Sequence, residues 1–329
     1  MKSTPIISVV LPVRNEAAKI AQCIEGILNQ TVAVRDIIVL DSGSTDGTLQ
    51  VLARYPDVRV IAVEPDEFNH GNTRNAGVIA AEGAEYVLLT VGDARAADNR
   101  WIEELLRGFT DDRVAGVCGR QVVPHEATTN PVEWFRPISP PAVTRYEFAS
   151  PAEFESLPPR RQREICGWDD VTAMYRRDVL LALPFQPVSY AEDIVWAHSA
   201  LKAGHAIVYV DTARVYHHHG ESAAFTFRRA ITTSYFRYRC FSDVPDIPNT
   251  LHNITSGART LLRESTLSWT NRLNWFFYTA RNQLALRRAV YRFRSAARDS
   301  DAAVDALHYR YCGNPLIPDK GEAGALPQR

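Results

Sequence analysis

The sequence predicts a doubly wound, mostly parallel α/β sheet followed by a helical C-terminal region, on three observations. Short apolar runs alternate with segments of helical period over the first third of the chain. The runs ISVVLPV, DIIVL and VRVIAV are apolar with little alternation, as in strands buried on both faces. The polar clusters PVRNE, DSGSTDGT, EFNHGNTRN and VGDAR each follow such a run, and open sheets of this class bind ligands beyond the carboxyl ends of their strands.

Taken in order, ISVVLPV is the first strand, and Ile20, Ile24, Ile27 and Leu28 then fall at helical spacing. DIIVL is the second strand, and DSGSTDGT turns into a helix carrying Leu49 and Leu52. VRVIAV is followed by the EFNHGNTRN loop, where Asn72 or Thr73 suits the cap of the helix AGVIAAEG. YVLLT comes next, then a helix with Trp101, Ile102, Leu105 and Leu106 on one face, and VAGVCGRQ closes the series. Residues 121–165 are proline-rich (PISPPAV, LPPRRQRE) and read as a surface excursion over the sheet. Order returns with DDVTAMYRRDVLLAL, AEDIVWAHSALKAG and AIVYVDTARVY, which runs into HHHG. Residues 1–225 thus form one domain. Residues 226–329 form a helical region of interleaved aromatics and arginines, with a disordered tail after position 312.

The bulk numbers exclude several classes. Over 329 residues, 46% hydrophobic and 23% charged content is that of a globular protein, and a net charge of −1 argues against nucleic acid as a partner. The N-terminus lacks a signal-peptide cleavage pattern, and no apolar run approaches the roughly 18 residues of a spanning helix. Five scattered cysteines without a C-x-x-C pair read as reduced thiols, which points to the cytoplasm.

Each polar cluster admits a plain and a chemical reading. Asp41 ends the second strand; with Ser42 it suits a turn cap, and its carboxylate equally suits the ring N–H of uracil or thymine. In EFNHGNTRN, Gly71 beside His70 lets backbone close over a ligand, while Arg74 adds a permanent cation at a helix entrance, a combination suited to a diphosphate. Arg74 as a solvated charge on the helix face is the plainer reading. Asp93, at the end of the YVLLT strand, suits a divalent cation or a cap. Glu192 and Asp193 open an amphipathic helix, where paired acids also complement the helix dipole. His217, His218 and His219 point in different directions, so at most two of them serve one metal. The glycine-rich fingerprint of dinucleotide folds is missing from the first turn, against an oxidoreductase.

Together and in this order, SVVLPVRNE, DSGSTDGT, the carboxylate ending the fourth strand and AEDIVW resemble the inverting glycosyltransferases of family 2, which have the GT-A fold. FNHGNTRN, GDARAAD, GRQ and VYHHH are similar to the rhamnosyltransferase-like branch. The resemblance covers residues 5 to 225. It implies a donor site built from Pro12, Arg14, Glu16, Asp41, Ser42, Gly43, His70, Gly71, Arg74, Asn75 and Asp93, with Asp41 reading the pyrimidine. It implies Asp193 as the catalytic base beside Glu192, and Mg²⁺ or Mn²⁺ on Asp93 with His217 or His219. The partners implied are a nucleotide-sugar donor, dTDP-rhamnose or a UDP-sugar, and a lipid-linked or polysaccharide acceptor in surface glycan assembly. A homo-oligomer is a further expectation.

One departure stands out. The family's metal motif D-x-D here reads Asp93-Ala94-Arg95, and an arginine does not ligate a metal. Asp93 as the one carboxylate ligand and a weak dependence on metal are the two readings. The rival class is a catalytically silent nucleotide-sugar-binding or scaffold protein. A nucleotidylyltransferase is disfavoured because PVRNEAAK is too poor in glycine for a triphosphate loop. In the C-terminal region FTFRRAITTSYFRYRCF sets arginines beside aromatics, which suits peripheral contact with anionic lipid at the inner face of the membrane or a helical core.

Overall fold

The computed structural model describes residues 5–126, 128–134 and 142–313. The tail expected to be disordered and most of PISPPAV lie outside the described residues. Two compact units are present: one holds the described residues to Val122 and from 142 to His217, the other those from Val123 to 134 and from His218 to 313.

In the first unit the strands are β1 (Ile7–Val13), β2 (Asp36–Asp41), β3 (Val58–Ala62), β4 (Tyr86–Leu89) and β5 (Arg95–Ala96). They continue with β6 (Val114–Val122), β7 (Thr144–Tyr146), β8 (Ala173–Arg176) and β9 (Ala206–Tyr216). The sheet order is β3-β2-β1-β4-β8-β6-β9-β5, with β7 on β9. Pairs β1·β2, β2·β3, β1·β4 and β6·β9 are parallel. The remainder of the sheet is mixed, since β8 runs against β4 and β6, and β5 and β7 run against β9. The mostly parallel expectation therefore holds for the first four strands. Beyond them β8 is reached through the excursion rather than a helical crossover, which frees it from the parallel constraint. That excursion also carries β7 and three short helices, so it is more ordered than a surface loop.

The helices are α1 (Ile20–Leu28), α2 (Thr48–Leu52), α3 (His70–Ala80), α4 (Trp101–Arg107) and α5 (Pro131–Trp134), of which α5 belongs to the second unit. Then come α6 (Pro151–Glu155), α7 (Pro159–Ile165), α8 (Arg177–Ala182) and α9 (Glu192–Lys202). Strand β1 is buried on both faces through Ile7, Val9, Val10 and Leu11, as its unbroken apolar sequence requires. Isoleucines 20, 24 and 27 of α1 join the same core, which is the helical stripe read from their spacing. Helix α3 lies so close to the sheet that a Cβ on Gly77 would overlap Val10 Cγ1 and stand 2.8 Å from Leu40 Cδ1.

The second unit is helical, with α10 (Ala223–Phe241), α11 (Thr250–Arg263), α12 (Trp269–Asp299) and α13 (Asp301–Cys312). Tyr235, Phe236 and Phe241 of α10 are buried. Arg237 pairs with Asp243 at 2.6 Å, Arg239 with Asp301 and Asp305, and Arg229 with Glu221. Much of the aromatic–arginine mixture thus packs and pairs inside its own unit. Exposed large apolar side chains lie instead along α12, at Trp269, Leu273, Phe277 and Leu284. No described helix is long and apolar enough to cross a membrane.

Gly77→Ala should lower stability by about 1–3 kcal/mol, because the added methyl overpacks the seam between α3 and the sheet by more than helix propensity returns. Urea unfolding of the variant against wild type measures it.

Candidate active site

Pairing of β1 with β2 sets Val13 beside Asp41 and Pro12 beside Leu40, so the first two polar clusters emerge side by side. They are then bonded to each other. Asn15, at φ +57°, donates its N–H to Ser44 Oγ (2.9 Å) and accepts from the Thr45 N–H through Oδ1 (2.8 Å). The N–H of Glu16 donates to Thr48 Oγ1 (2.8 Å), and that of Ala17 to Asp46 Oδ2 (3.0 Å). Ser42 donates its N–H and its hydroxyl to the Val13 carbonyl, at 3.0 and 3.2 Å. Gly43 takes φ +82°, a left-handed conformation suited to glycine. Arg14 is exposed at this edge.

Asp41 makes the turn cap and keeps one carboxylate oxygen out of it. Its Oδ2 accepts the N–H groups of Gly43 (3.2 Å) and Ser44 (3.1 Å), which is the turn cap. Its Oδ1 is buried with no hydrogen-bond partner. A buried acceptor left unpaired is costly, and a donor such as a pyrimidine ring N–H removes that cost.

The EFNHGNTRN segment differs from its sequence reading in four respects. The cap of α3 is Asn69, whose side chain accepts the Asn72 N–H, so His70 and Gly71 already lie in the first helical turn. A Cβ on Gly71 would collide with the Gln186 carbonyl oxygen; the glycine serves close packing onto residues 185–188 instead of closing over a ligand. Asn75 clamps the same segment, donating to the Phe185 carbonyl (2.8 Å) and accepting the Phe185 N–H (3.0 Å). Asn69 donates to the Val188 carbonyl at 3.0 Å. Arg74 is buried and turned onto carboxylates, pairing with Glu192 and with Asp170 Oδ2 (3.3 Å). His70 stays at the surface, edge-on to Phe68.

The clamped segment leads into Ala191, which holds φ +64°, ψ +31° directly before Glu192 and Asp193. An alanine in the left-handed region is strained, and such strain collects at functional sites. Glu192 is buried on Arg74, whereas Asp193 keeps partial exposure. Asp193 accepts the N–H of Asp170 (3.3 Å) through Oδ2 and that of Ile194 (2.7 Å) through Oδ1. Burial raises its carboxyl well above the ordinary aspartate range, and the charges of Asp170 and Asp169 push the same way. Asp170 is also raised by burial, against the pull of Arg74 and the hydroxyl of Tyr175, which in turn accepts from Trp168 Nε1 (2.6 Å).

Asp93 stands between a cation and an imidazole. Lys19 Nζ lies 3.2 Å from its Oδ2, and His217 Nε2 lies 3.4 Å from its Oδ1. Asp93 Oδ1 and His217 Nε2 are thus two candidate ligand atoms for one divalent ion within the first unit. His218 diverges, its Nε2 lying 3.0 Å from Glu133 Oε2. His217 Nδ1 is 2.7 Å from Gln121 Oε1, and the Gln121 amide nitrogen donates to Asp169. Nε2 is then the ring nitrogen turned toward Asp93 Oδ1, a pair of side chains whose chemistry fits a divalent cation. Arg95, at the place of the family's second aspartate, lies on β5 with its guanidinium 4.7 Å from the centre of the Tyr216 ring.

Four of these residues carry no role in the sequence reading: Lys19, Gln121, Asp169 and Asp170. The paired acids in GWDDVTAM were the available signal, since two adjacent aspartates entering an apolar strand have no packing use.

Comparison with known proteins bears on the family and the fold. The family model described as glycosyl transferase family 2 matches residues 8–182. An O-antigen chain rhamnosyltransferase of Salmonella anatum, WbaN, is 30% identical over 237 residues, covering 70% of this chain and 72% of the relative. RfbN of Salmonella typhimurium, of the same description, is 29% identical over 240 residues with the same coverage. Among solved structures, a mannosyltransferase of Pyrobaculum calidifontis in complex with GDP-Man and Mn²⁺ superposes with a TM-score of 0.55 at 17% identity, covering 88% of this chain and 87% of that one. The fold is therefore GT-A.

Arg74→Met should cost about 3–5 kcal/mol at neutral pH, since Asp170 and Glu192 stay buried without their cation. Asp170, already raised, protonates as pH falls, so the deficit should narrow between about pH 8 and about pH 5. Denaturant titrations of both proteins across that range test the sign.

Proposed function

We propose, for a chain that belongs to glycosyl transferase family 2, that it transfers rhamnose from a nucleoside-diphosphate donor, by single displacement, onto a glycan or lipid-linked acceptor of surface glycan assembly. The observation that carries this reading is Asp193: a partly exposed carboxylate at the start of α9, oriented by two backbone N–H groups and raised by burial. A carboxyl so raised is closer in basicity to an acceptor hydroxyl's needs than an ordinary aspartate. The relatives named O-antigen chain rhamnosyltransferase support rhamnose as the sugar.

In this mechanism Asp193 takes the proton of the acceptor hydroxyl as its oxygen attacks the anomeric carbon. The bond to the diphosphate breaks on the opposite face, and the anomeric centre inverts. Asp41 Oδ1 receives the pyrimidine ring N–H, with Ser42 and Gly43 shaping the turn beside it. Arg14 and His70 lie on the exposed edge where a diphosphate passes. Asp93 and His217 would hold Mg²⁺ or Mn²⁺, which supplies positive charge to the departing diphosphate. Lys19 adds a cation of the chain's own beside Asp93. Arg74 and Asn75 act on the donor indirectly, by fixing the segment that presents Asp193. A silent nucleotide-sugar binder has no use for the raised carboxyl or for strain at Ala191.

Asp193→Asn should leave nucleotide binding intact and lower turnover by roughly two to four orders of magnitude. Wild-type turnover should rise with pH through neutrality, because the base works ionised and its pKa is raised; the variant should lose that slope. Turnover near wild type would rule out Asp193 as the base.

Asp41→Ala should weaken nucleoside-diphosphate binding by about 5- to 150-fold, the effect of about 1–3 kcal/mol, with little change in turnover at saturating donor. Calorimetry with UDP and dTDP reads this directly, and unchanged affinity would leave Asp41 as a turn cap.

A further inference from the structure

We infer that Gln121 and Asp169 are positioning residues that fix His217 in the one neutral tautomer able to ligate a divalent cation beside Asp93, an inference that rests on the metal reading above. The argument is one of hydrogen-bond polarity. Asp169 Oδ1 accepts the Val171 N–H at 3.0 Å, and its Oδ2 receives the Gln121 side chain. A carboxylate accepts and does not donate, so Gln121 must present its amide nitrogen to Asp169. Its Oε1 is thereby committed to the other side, 2.7 Å from His217 Nδ1. A carbonyl oxygen also only accepts, so the imidazole proton belongs on Nδ1. The lone pair is left on Nε2, the nitrogen that faces Asp93 Oδ1 at 3.4 Å.

The backbone supports the same chain of partners. Parallel pairing of β6 with β9 sets Gln121 against Val215 and Val122 against Tyr216, and the His217 N–H donates to the Val122 carbonyl at 3.2 Å. Gln121 and His217 therefore leave adjacent strands in fixed register. Asp169, which precedes β8, supplies the charge that sets the amide's direction.

The polarity can be reversed and then restored. In Asp169→Asn, Oδ1 stays on the Val171 N–H and the new amide nitrogen faces Gln121. Gln121 then turns its oxygen toward position 169 and its nitrogen toward His217. Nδ1 must accept, the proton moves to Nε2, and an N–H points at Asp93. Adding Gln121→Glu gives a carboxylate that accepts both from the new amide at position 169 and from the imidazole. That returns the proton to Nδ1 and restores the local charge.

The experiment compares wild type, H217A, D169N and Q121E/D169N by Mn²⁺ titration, following free Mn²⁺ by electron paramagnetic resonance. Histidine ¹⁵N NMR of the metal-free proteins reads the tautomer. Expected are a loss of affinity in D169N of about 10- to 100-fold, recovery in the double variant, and an Nδ1–H, Nε2–H, Nδ1–H sequence of His217 tautomers across wild type, D169N and the double variant. The tautomer separates this role from a simple effect of charge. Wild-type affinity in D169N, with binding lost in H217A, overturns the inference and leaves the metal site standing. Wild-type affinity in H217A removes the metal reading and the inference together. A doubly protonated His217 in the wild-type protein also overturns it.

Discussion

The guanidinium of Arg74 lies buried between Asp170 and Glu192, in a part of the domain where Asp169 and Asp193 crowd two further carboxyl groups. Carboxylates leave water at high cost unless a cation and hydrogen bonds accompany them. Arg74 meets that requirement for two elements at once, because Asp170 precedes β8 and Glu192 begins α9. The rest of the site follows from where this ion pair holds those elements. Asn69, Gly71 and Asn75, from the same turns of α3, fasten residues 185–188 and so deliver the chain to Ala191 in its left-handed conformation. A motif that reads as a ligand loop works as the mounting of the helix that begins with Glu192 and Asp193.

From that mounting a line of contacts runs across the strand ends. Asp193 accepts from Asp170; the neighbouring Asp169 accepts from Gln121; Gln121 meets His217; His217 meets Asp93; and Asp93 meets Lys19. The residues assigned to acceptor activation and those assigned to the departing diphosphate are thus ends of one polar sequence. Mixed strand directions make this feasible, since antiparallel β8 brings Asp169 and Asp170 to the edge where the parallel strands terminate.

Much of this was legible in the sequence, and the limits have physical causes. Strands β1, β2 and β4 were plain because burial on both faces demands unbroken apolar runs. The positions of Asp41, His217 and Asp193 at the end of a strand or the start of a helix were legible, because the switch from an apolar run to polar residues marks those ends. Arg74 was legible as a cation and misread in direction: a helix presents several faces, and the sequence does not say that the carboxylates of Asp170 and Glu192, far along the chain, pack against this one. Asp169 and Asp170 were hidden for the same reason, their partners being tertiary. Strain at Ala191 could not be read, because alanine carries none of the signals by which glycine or asparagine announces a left-handed turn.

The bonds between the first two loops have a consequence for engineering. Four backbone N–H groups, at Asn15, Glu16, Ala17 and Thr45, are satisfied by side chains from the opposite loop. The two loops are consequently a single block with no independent halves. A chimera that imports the second loop from a relative, while keeping the native first loop, strands those donors against unmatched side chains. The two loops are inherited as one cassette, and recombination points belong in the strands that flank them.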